Sequence, residues 1–298
     1  MKVLLRQGLV IAAHGRHVWV EDGEGQRWLC HPRGKKNLAV VGDRVEWMPT
    51  GDEGLIETIV PRRNLLYRQD DIRIKSFAAN LDQVVVLLAA EPVFSESQLN
   101  RALIAAQAAD ISPLVVLNKQ DLADAFDLAW KRLEPYRRMG VVVMPLCLKT
   151  GAGLAALTER LTHRVTLVLG PSGVGKSTLV NRLLPNAGAA TGDISKALNS
   201  GRHTTTSTQW YWLDDGHRSA LIDSPGFQEF GLQHIAAEQL ASLMPDIAAC
   251  LGHCRFYNCS HLHEPGCGVR QAMGGVVSEQ RYRLYRDLYA ELSAPPRY

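Results

Sequence analysis

The stretch that decides the fold is VTLVLGPSGVGKS, residues 165–177. Residues 170–177 match the pattern G-x-x-x-x-G-K-[ST], with an apolar strand pattern before them and a helical pattern after them. In such a loop the glycines let successive backbone N–H groups turn inward around phosphate oxygens, and the helix N-terminus adds its partial positive charge. The flanking strand and helix favour a phosphate-binding loop (P-loop) over a chance match in a glycine-rich turn.

The P-loop pattern assigns roles to individual side chains. Lys176 is expected to bridge the β- and γ-phosphates of a bound nucleotide, and Ser177 is expected to place its hydroxyl on Mg²⁺. The predicted phosphate-binding residues are Gly170, Pro171, Ser172, Gly173, Val174, Gly175, Lys176, Ser177 and Thr178.

A second phosphate motif, Asp223-Ser-Pro-Gly226, follows the predicted strand at residues 219–223. In P-loop enzymes an Asp at the end of a strand holds Mg²⁺, and the following Gly offers its N–H to the γ-phosphate. A D-x-P-G sequence alone is a common turn, but its place downstream of a P-loop predicts these roles for Asp223 and Gly226.

The tetrapeptide Asn118-Lys-Gln-Asp121 follows the apolar run at residues 113–117 and predicts which base is bound. Guanine presents N1–H and N2–H₂ side by side, and one carboxylate accepts both, whereas adenine offers no such pair. Because an unpaired carboxylate in the site is costly, Asp121 should select GTP over ATP, which disfavours an ATP-using kinase. Lys119 is expected to lie along the base, and Asn118 to tie this loop to the P-loop.

Continuous apolar runs alternate with helical patterns through the middle of the chain, which is typical of a parallel sheet with crossover helices. The base-reading motif precedes the P-loop in the sequence, although both must meet one nucleotide. The same sheet must therefore be threaded from a different starting point. The runs are at 84–90, 113–117, 141–146 and 165–169, with two further strands expected at 209–213 and 219–223.

Residues 1–65 contain five β-rich runs separated by turn sequences. This pattern predicts a small closed barrel such as an OB-fold, which often binds RNA or single strands. The basic cluster Arg33, Lys35 and Lys36 is equally consistent with a solvated surface loop.

Four of the six cysteines lie close together between residues 250 and 267, among three histidines. Such clustering points to metal rather than to disulfides in a reducing compartment. Three thiolates and one imidazole make a closed structural zinc site, and metal binding should supply much of the folding energy of this small segment. The residues Cys254, Cys259, His261 and Cys267 offer this donor set, and Cys250, His253 and His263 are nearby alternative ligands.

The composition excludes several classes of protein. With 46% hydrophobic and 21% charged residues, the chain is neither disordered nor fibrous. A net charge of +3 does not by itself indicate a nucleic-acid partner. No run of residues is long and apolar enough for a membrane helix, and the N-terminus does not fit a signal peptide, so a cytoplasmic location is expected.

Together these motifs resemble the circularly permuted GTPases of the ribosome small-subunit-dependent GTPase A family (RsgA/YjeQ). The resemblance covers essentially the whole chain, and its further motifs are VGDRVEW, PRRNLLYR, AANLDQV and GRHTTT. It implies a permuted α/β P-loop GTPase core with an N-terminal OB-type barrel and a C-terminal α-helical zinc-binding module. The expected domains are 1–68, 69–227 and 228–298.

The resemblance also implies an activity. A slow GTPase of this family is stimulated by the small ribosomal subunit and acts late in the assembly of that subunit. The implied partners are the small ribosomal subunit, its rRNA, and GTP or GDP. The resemblance further implies a monomer with no membrane partner, and Mg²⁺ and structural Zn²⁺ as cofactors. Two features depart from the family pattern: Cys147 stands where Ser is usual in the base-backing motif, and the basic N-terminal extension is short.

The sequence marks the residue that orients the attacking water less clearly than the residues that bind the base and the phosphates. The first switch loop is expected at residues 201–206, where Thr204 or Thr205 completes the Mg²⁺ shell, with Thr205 favoured. Phe227 stands where many GTPases introduce a water-orienting Gln, so intrinsic turnover should be slow. One hypothesis gives the catalytic role to His203 once the ribosome orders the switch, and the alternative is that His203 contacts RNA or packs. Phe227 also suits a nucleotide-gated rRNA-binding assembly factor with negligible turnover.

Overall fold

The structure, a computed structural model, describes residues 5–14, 17–34, 38–69, 74–184, 208–225, 227 and 230–295 of the 298-residue chain. Three units follow one another: a β-barrel, a six-stranded sheet flanked by helices, and a small helical module. Within the described ranges, every helix falls short of the length and hydropathy that crossing a membrane requires.

Five strands close the N-terminal barrel in the order β1-β2-β3-β5-β4, with β4 pairing back to β1. Strands β3 and β5 are parallel and the other neighbours are antiparallel. Alternate side chains fill the interior, among them Val10, Val20 and Trp47. The prediction of an OB-type barrel is confirmed. The strands are β1 (Arg6–His14), β2 (His17–Asp22), β3 (Arg27–Pro32), β4 (Arg44–Thr50) and β5 (Glu53–Ile59).

A buried ion pair joins the two chain segments that flank β4 and β5 of the barrel. The Asp43 side chain is fully buried, and its two oxygens accept hydrogen bonds from Arg62 at 2.7 and 2.8 Å. The Val40 N–H donates to the same carboxylate at 2.8 Å. The pair joins the chain before β4 to the chain after β5, and it leaves no oxygen of this buried carboxylate without a donor.

A hairpin follows the barrel and was not predicted from the sequence. Its strands are β6 (Leu65–Gln69) and β7 (Ile74–Ala79). Phe77 of β7 stacks on Phe230, with ring centroids 5.4 Å apart. The domain boundary expected between residues 68 and 69 falls inside this hairpin, and the three domain limits stay predictions.

The central sheet has the strand order β10-β9-β8-β11-β13-β12. Neighbours are parallel except for β12, which is antiparallel to β13. The strand that leads to the P-loop, β11, lies inside the sheet, and the strand that leads to the base-reading motif, β9, comes earlier in the chain. The expected permuted threading is therefore confirmed. The strands are β8 (Gln83–Ala89), β9 (Ser112–Asn118), β10 (Val142–Pro145), β11 (Val165–Leu169), β12 (Thr208–Trp212) and β13 (Ala220–Asp223).

Helices cover this sheet, and its inner strands are apolar because both of their faces are buried. Every residue of β8 is buried. The first helix begins at an N-cap, Ser95, whose hydroxyl accepts a hydrogen bond from the Gln98 N–H. The helices are α1 (Glu96–Ala108), α2 (Ala123–Arg132), α3 (Glu134–Arg138), α4 (Leu154–Leu161) and α5 (Lys176–Leu183).

The barrel and the central sheet are continuous. Strand β1 pairs with β12 at Ala12 with Gln209 and at Ala13 with Thr208. Strand β12 begins directly after the segment in which the first switch loop is expected. The barrel is thus attached to the sheet at the strand that follows this loop.

The C-terminal module packs short helices against one longer helix, α8 (Glu279–Ser293). Arg281 on this helix is buried and donates to both oxygens of Asp246 at 2.8 Å. Arg281 therefore lies inside the module, whereas Arg283 and Arg286 on the same helix are exposed. The other elements are two 3-10 turns (Ala237–Leu243 and Leu251–His253), α6 (Pro245–Ala248) and α7 (Gly268–Gln271).

The Arg62–Asp43 pair predicts the stability of two neighbouring variants. Arg62→Ala leaves a buried carboxylate without its cation, and we expect it to lower the free energy of unfolding by about 3–5 kcal/mol. The matched control is Arg63→Ala, which removes the half-exposed pair with Asp82 and should cost about 1 kcal/mol or less. Denaturant unfolding measures both, and equal losses would contradict the role given to Asp43.

Candidate active site

The P-loop connects β11 to α5, and two of its glycines are required by space. A Cβ on Gly170 would lie 2.5 Å from the Leu87 carbonyl oxygen. Gly175 has φ +101°, and a Cβ there would lie 2.6 Å from the Asn118 amide nitrogen. Any larger residue at either position would displace a neighbouring loop or strand, so the close approach of these segments depends on glycine.

The P-loop lysine lies beside the second phosphate motif. The Lys176 ammonium group donates to Asp223 Oδ1 at 2.9 Å and to the Ser224 carbonyl at 3.2 Å. Asp223 ends β13 and is buried, and the Lys176 side chain is mostly buried. The fold thus brings together a cation and a carboxylate that the sequence assigned to the same phosphate site.

The amide group of Asn118 joins the base-reading motif to the P-loop. Its Nδ2 donates to the Val174 carbonyl at 2.8 Å, and its Oδ1 accepts from the Leu148 N–H at 3.1 Å. Asn118 is only 3% exposed, so these bonds are protected from water. Three loops that are distant in the sequence are fixed to one another at this side chain.

Asp121 lies at the rim of the same site with two polar neighbours. The Cys147 thiol donates to Asp121 Oδ1 at 3.3 Å, and the Lys149 ammonium group lies 3.5 Å from Oδ2. The hydrogen bond from Cys147, and to a smaller extent the charge of Lys149, lower the pKa of Asp121 below its usual range. At neutral pH the side chain is a carboxylate, the form that only accepts hydrogen bonds.

Cys147 therefore makes the kind of contact for which a serine hydroxyl would be suited. It is 2% exposed, and its own N–H donates to the Ala152 carbonyl at 2.9 Å.

Lys119 follows Asn118 with φ +67°, and its ammonium group donates to the Glu91 carbonyl at 2.6 Å. The lysine thus spans the space between the base-reading loop and the loop after β8.

Several predicted residues lie outside the described part of the chain, namely His203, Thr204, Thr205 and Gly226. Ser177 and Thr178 are exposed at the start of α5.

Phe227 is 3% exposed and lies in the core, with its ring 6.3 Å from that of Phe230. A buried phenyl ring cannot orient an attacking water.

The predicted metal ligands converge in the C-terminal module. The ligand atoms of Cys254, Cys259, His261 and Cys267 all lie within 4.8 Å of one another. His261 Nδ1 lies 3.5 Å from the Cys254 sulfur and 3.6 Å from the Cys267 sulfur. Cys250 is not in this group, because its thiol is buried against the Asp246 carbonyl.

Side chains around the cluster hold its loops in place, and the sequence did not reveal them. Burial opposes ionisation of Glu264, but hydrogen bonds from the Ser260 hydroxyl and N–H, at 2.6 and 2.8 Å, outweigh burial and lower the pKa of this carboxyl. From α8, the Tyr282 hydroxyl donates to the His261 carbonyl and the Tyr285 hydroxyl to the Ser260 carbonyl, each at 2.8 Å. The only sequence signal was the helical spacing of the two tyrosines.

Comparison with known proteins gives one family. The model of the RsgA GTPase family matches residues 59–233. A Variovorax paradoxus protein named small ribosomal subunit biogenesis GTPase RsgA is 62% identical over 297 residues, covering 97% of this chain and 93% of that protein. A Bordetella pertussis protein of the same name is 52% identical over 291 residues and covers 97% of both chains.

Solved structures agree with this result. YjeQ from Thermotoga maritima superposes with a TM-score of 0.76 at 30% identity, covering 98% of this chain and all of the other. YloQ, described as a circularly permuted GTPase, superposes with a TM-score of 0.72 at 29% identity, covering 99% and 98%.

The geometry around Asp121 predicts a change of base specificity. Asp121→Asn replaces an acceptor by a group whose NH₂ repels the guanine donors, so we expect GDP affinity to fall roughly 100-fold. Xanthosine diphosphate carries a carbonyl where guanine has its amino group, and it should bind the variant more tightly than GDP. Isothermal titration with both nucleotides measures this, and an unchanged preference for GDP would show that another residue reads the base.

Proposed function

The chain belongs to the RsgA GTPase family, and from that premise we propose that it hydrolyses GTP to GDP and phosphate during late maturation of the small ribosomal subunit, which stimulates it. The observation that supports this most is the Asn118 amide, which holds the base-reading loop and the P-loop in one frame. This frame supports the assignment of Asp121 to the base and of Lys176 to the phosphates of one GTP.

Phosphoryl transfer to water requires charge stabilisation rather than covalent chemistry. The bond from the γ-phosphorus to the β,γ-bridging oxygen breaks as the bond to the water oxygen forms, and the proton that the water loses ends on the released phosphate. Lys176, the P-loop N–H groups and the N-terminus of α5 stabilise the negative charge on the transferring group and on the leaving GDP.

The oxygen donors at this site suit Mg²⁺, which prefers hydroxyl, carboxylate and phosphate ligands. We assign Ser177 and Thr205 of the first switch loop to it as ligands, with Asp223 holding the ion through water. The ion would neutralise charge on the phosphate oxygens.

Another residue than Phe227 must orient the attacking water. The burial of Phe227 supports slow intrinsic turnover. We keep His203 as the candidate catalytic group, together with the alternative that it contacts RNA or packs.

The cluster in the C-terminal module suits zinc. Three thiolates and one imidazole are the donor set of a closed tetrahedral site, with no position left for a reacting molecule. We therefore propose a structural Zn²⁺ held by Cys254, Cys259, His261 and Cys267. This ion stabilises the module and takes no part in hydrolysis.

The proposed partners are the small ribosomal subunit, its rRNA, and GTP or GDP. The relatives are named for biogenesis of that subunit. An OB-type barrel is a common RNA-binding fold, which supports contact with rRNA. We propose that the protein acts as a monomer in the cytoplasm, where the subunit is assembled.

A second candidate is a nucleotide-gated rRNA-binding assembly factor with negligible turnover, which the apolar Phe227 favours. Phosphate release at saturating GTP, titrated with purified small subunits, separates the two. We expect release to rise steeply with subunits and His203→Ala to lose most of that rise. Flat release across the titration would support the gated factor, and full stimulation of His203→Ala would remove its catalytic role.

The zinc assignment predicts different outcomes for two cysteine variants. Cys259→Ser removes one ligand, and we expect it to lower zinc content below one per chain and to expose the module to proteolysis. Cys250→Ser changes a nearby buried thiol outside the cluster and should keep one zinc per chain. Zinc analysis of both purified variants measures these contents, and an equal loss of zinc from both variants would contradict the ligand set.

A further inference from the structure

The β6–β7 hairpin is hydrogen-bonded to the segment that follows Asp223 in the sequence. The Gln69 N–H donates to the Gly231 carbonyl, and the Gln233 N–H donates to the Gln69 carbonyl, each at 3.1 Å. The stacking of Phe77 on Phe230 adds an apolar contact to the same segment. The hairpin is therefore fixed to the segment that leads out of the phosphate motif.

One side chain of this hairpin reaches the phosphate motif itself. The Lys75 ammonium group donates to the Pro225 carbonyl at 2.9 Å. Lys176 donates to the preceding carbonyl, that of Ser224, at 3.2 Å. Two lysines from separate elements thus hold adjacent carbonyls of the Asp223 motif.

This arrangement concentrates positive charge. Asp223 pairs with Lys176, and among the described residues no carboxylate lies within ion-pair distance of Lys75. Burial lowers the pKa of Lys75, and the charges of Arg68 and Lys176 lower it further. The electrostatic cost of two neighbouring ammonium groups falls when an anion lies between them.

We propose that Lys75 is a further substrate-contacting residue, whose ammonium group leaves the Pro225 carbonyl to bind the terminal phosphate of GTP. This inference rests on the proposed function. A phosphate oxygen is a stronger acceptor for an ammonium group than a neutral carbonyl, because both partners are charged. GDP lacks the terminal phosphate, so Lys75 distinguishes the triphosphate from the diphosphate.

Binding measurements on three variants test this role. The ligands are GDP and the non-hydrolysable analogue guanosine 5′-(β,γ-imido)triphosphate. We expect Lys75→Gln to weaken the triphosphate analogue by about tenfold or more and to leave GDP within about twofold. Lys75→Arg should keep most of the preference, and the matched control Lys131→Gln, on an exposed position of α2, should change neither affinity.

The ratio of the two affinities decides between a phosphate contact and a structural role. Equal weakening of both ligands by Lys75→Gln, or no weakening of either, would overturn the proposal. If the unmodified chain bound neither nucleotide, the proposed function itself would fail. If Lys75→Gln bound both nucleotides tightly with an unchanged ratio of the two affinities, only the role of Lys75 would be refuted.

A measurement on the unmodified chain covers the case in which the variants do not fold. Limited acylation of lysine amines, read by peptide mass spectrometry, reports the access of reagent to Lys75, with Lys131 as the internal reference. We expect the triphosphate analogue to protect Lys75 more strongly than GDP does. Equal protection by the two nucleotides would contradict a contact with the terminal phosphate.

Discussion

The two hydrogen bonds of the Asn118 amide are the constraint on which the site depends. Asn118 ends β9, whereas Leu148 and Val174 lie in two loops, and the buried Asn118 side chain sets the spacing of these three segments. The close approach of Gly175 leaves no room for any other residue beside this amide. The Asn118 amide therefore ties the segment that carries Asp121 to the P-loop that carries Lys176.

The permuted threading gives this site its connections to the rest of the molecule. The chain leaves Asp223 and passes directly into the segment held by the hairpin, and then into the C-terminal module. A bidentate pair between Arg101 on α1 and Glu291 on α8 fastens that module to the central unit. On the other side, the pairing of β1 with β12 attaches the barrel next to the expected first switch loop. Both flanking units are thus joined to segments that border the phosphate site.

The sequence predicts the parts of the fold in which local pattern and burial agree. The strands of the barrel and of the central sheet are uniform apolar or alternating runs between turn residues, and the P-loop has a fixed spacing, so all of these could be located. The permuted threading of the sheet followed from a chemical requirement, because one nucleotide was expected to meet both Asp121 and Lys176.

Features that depend on distant partners could not be predicted in this way. The β6–β7 hairpin has a register shift between Leu66 and Tyr67 and bonds to a segment more than a hundred residues away, so its sequence lacks a regular period. Arg281 looks like a surface residue on an amphipathic helix, and only Asp246, on another element, makes its burial acceptable. The contact of Cys147 with Asp121 likewise required the fold.

A crystal structure of this chain with the imido analogue of GTP would show whether one nucleotide spans the base-reading motif and the P-loop. We predict one bound nucleotide, with its guanine N1–H and N2–H₂ on the Asp121 carboxylate and its β- and γ-phosphates within hydrogen-bond distance of Lys176. A guanine bound away from Asp121, or a triphosphate bound outside the loop at residues 170–177, would contradict it.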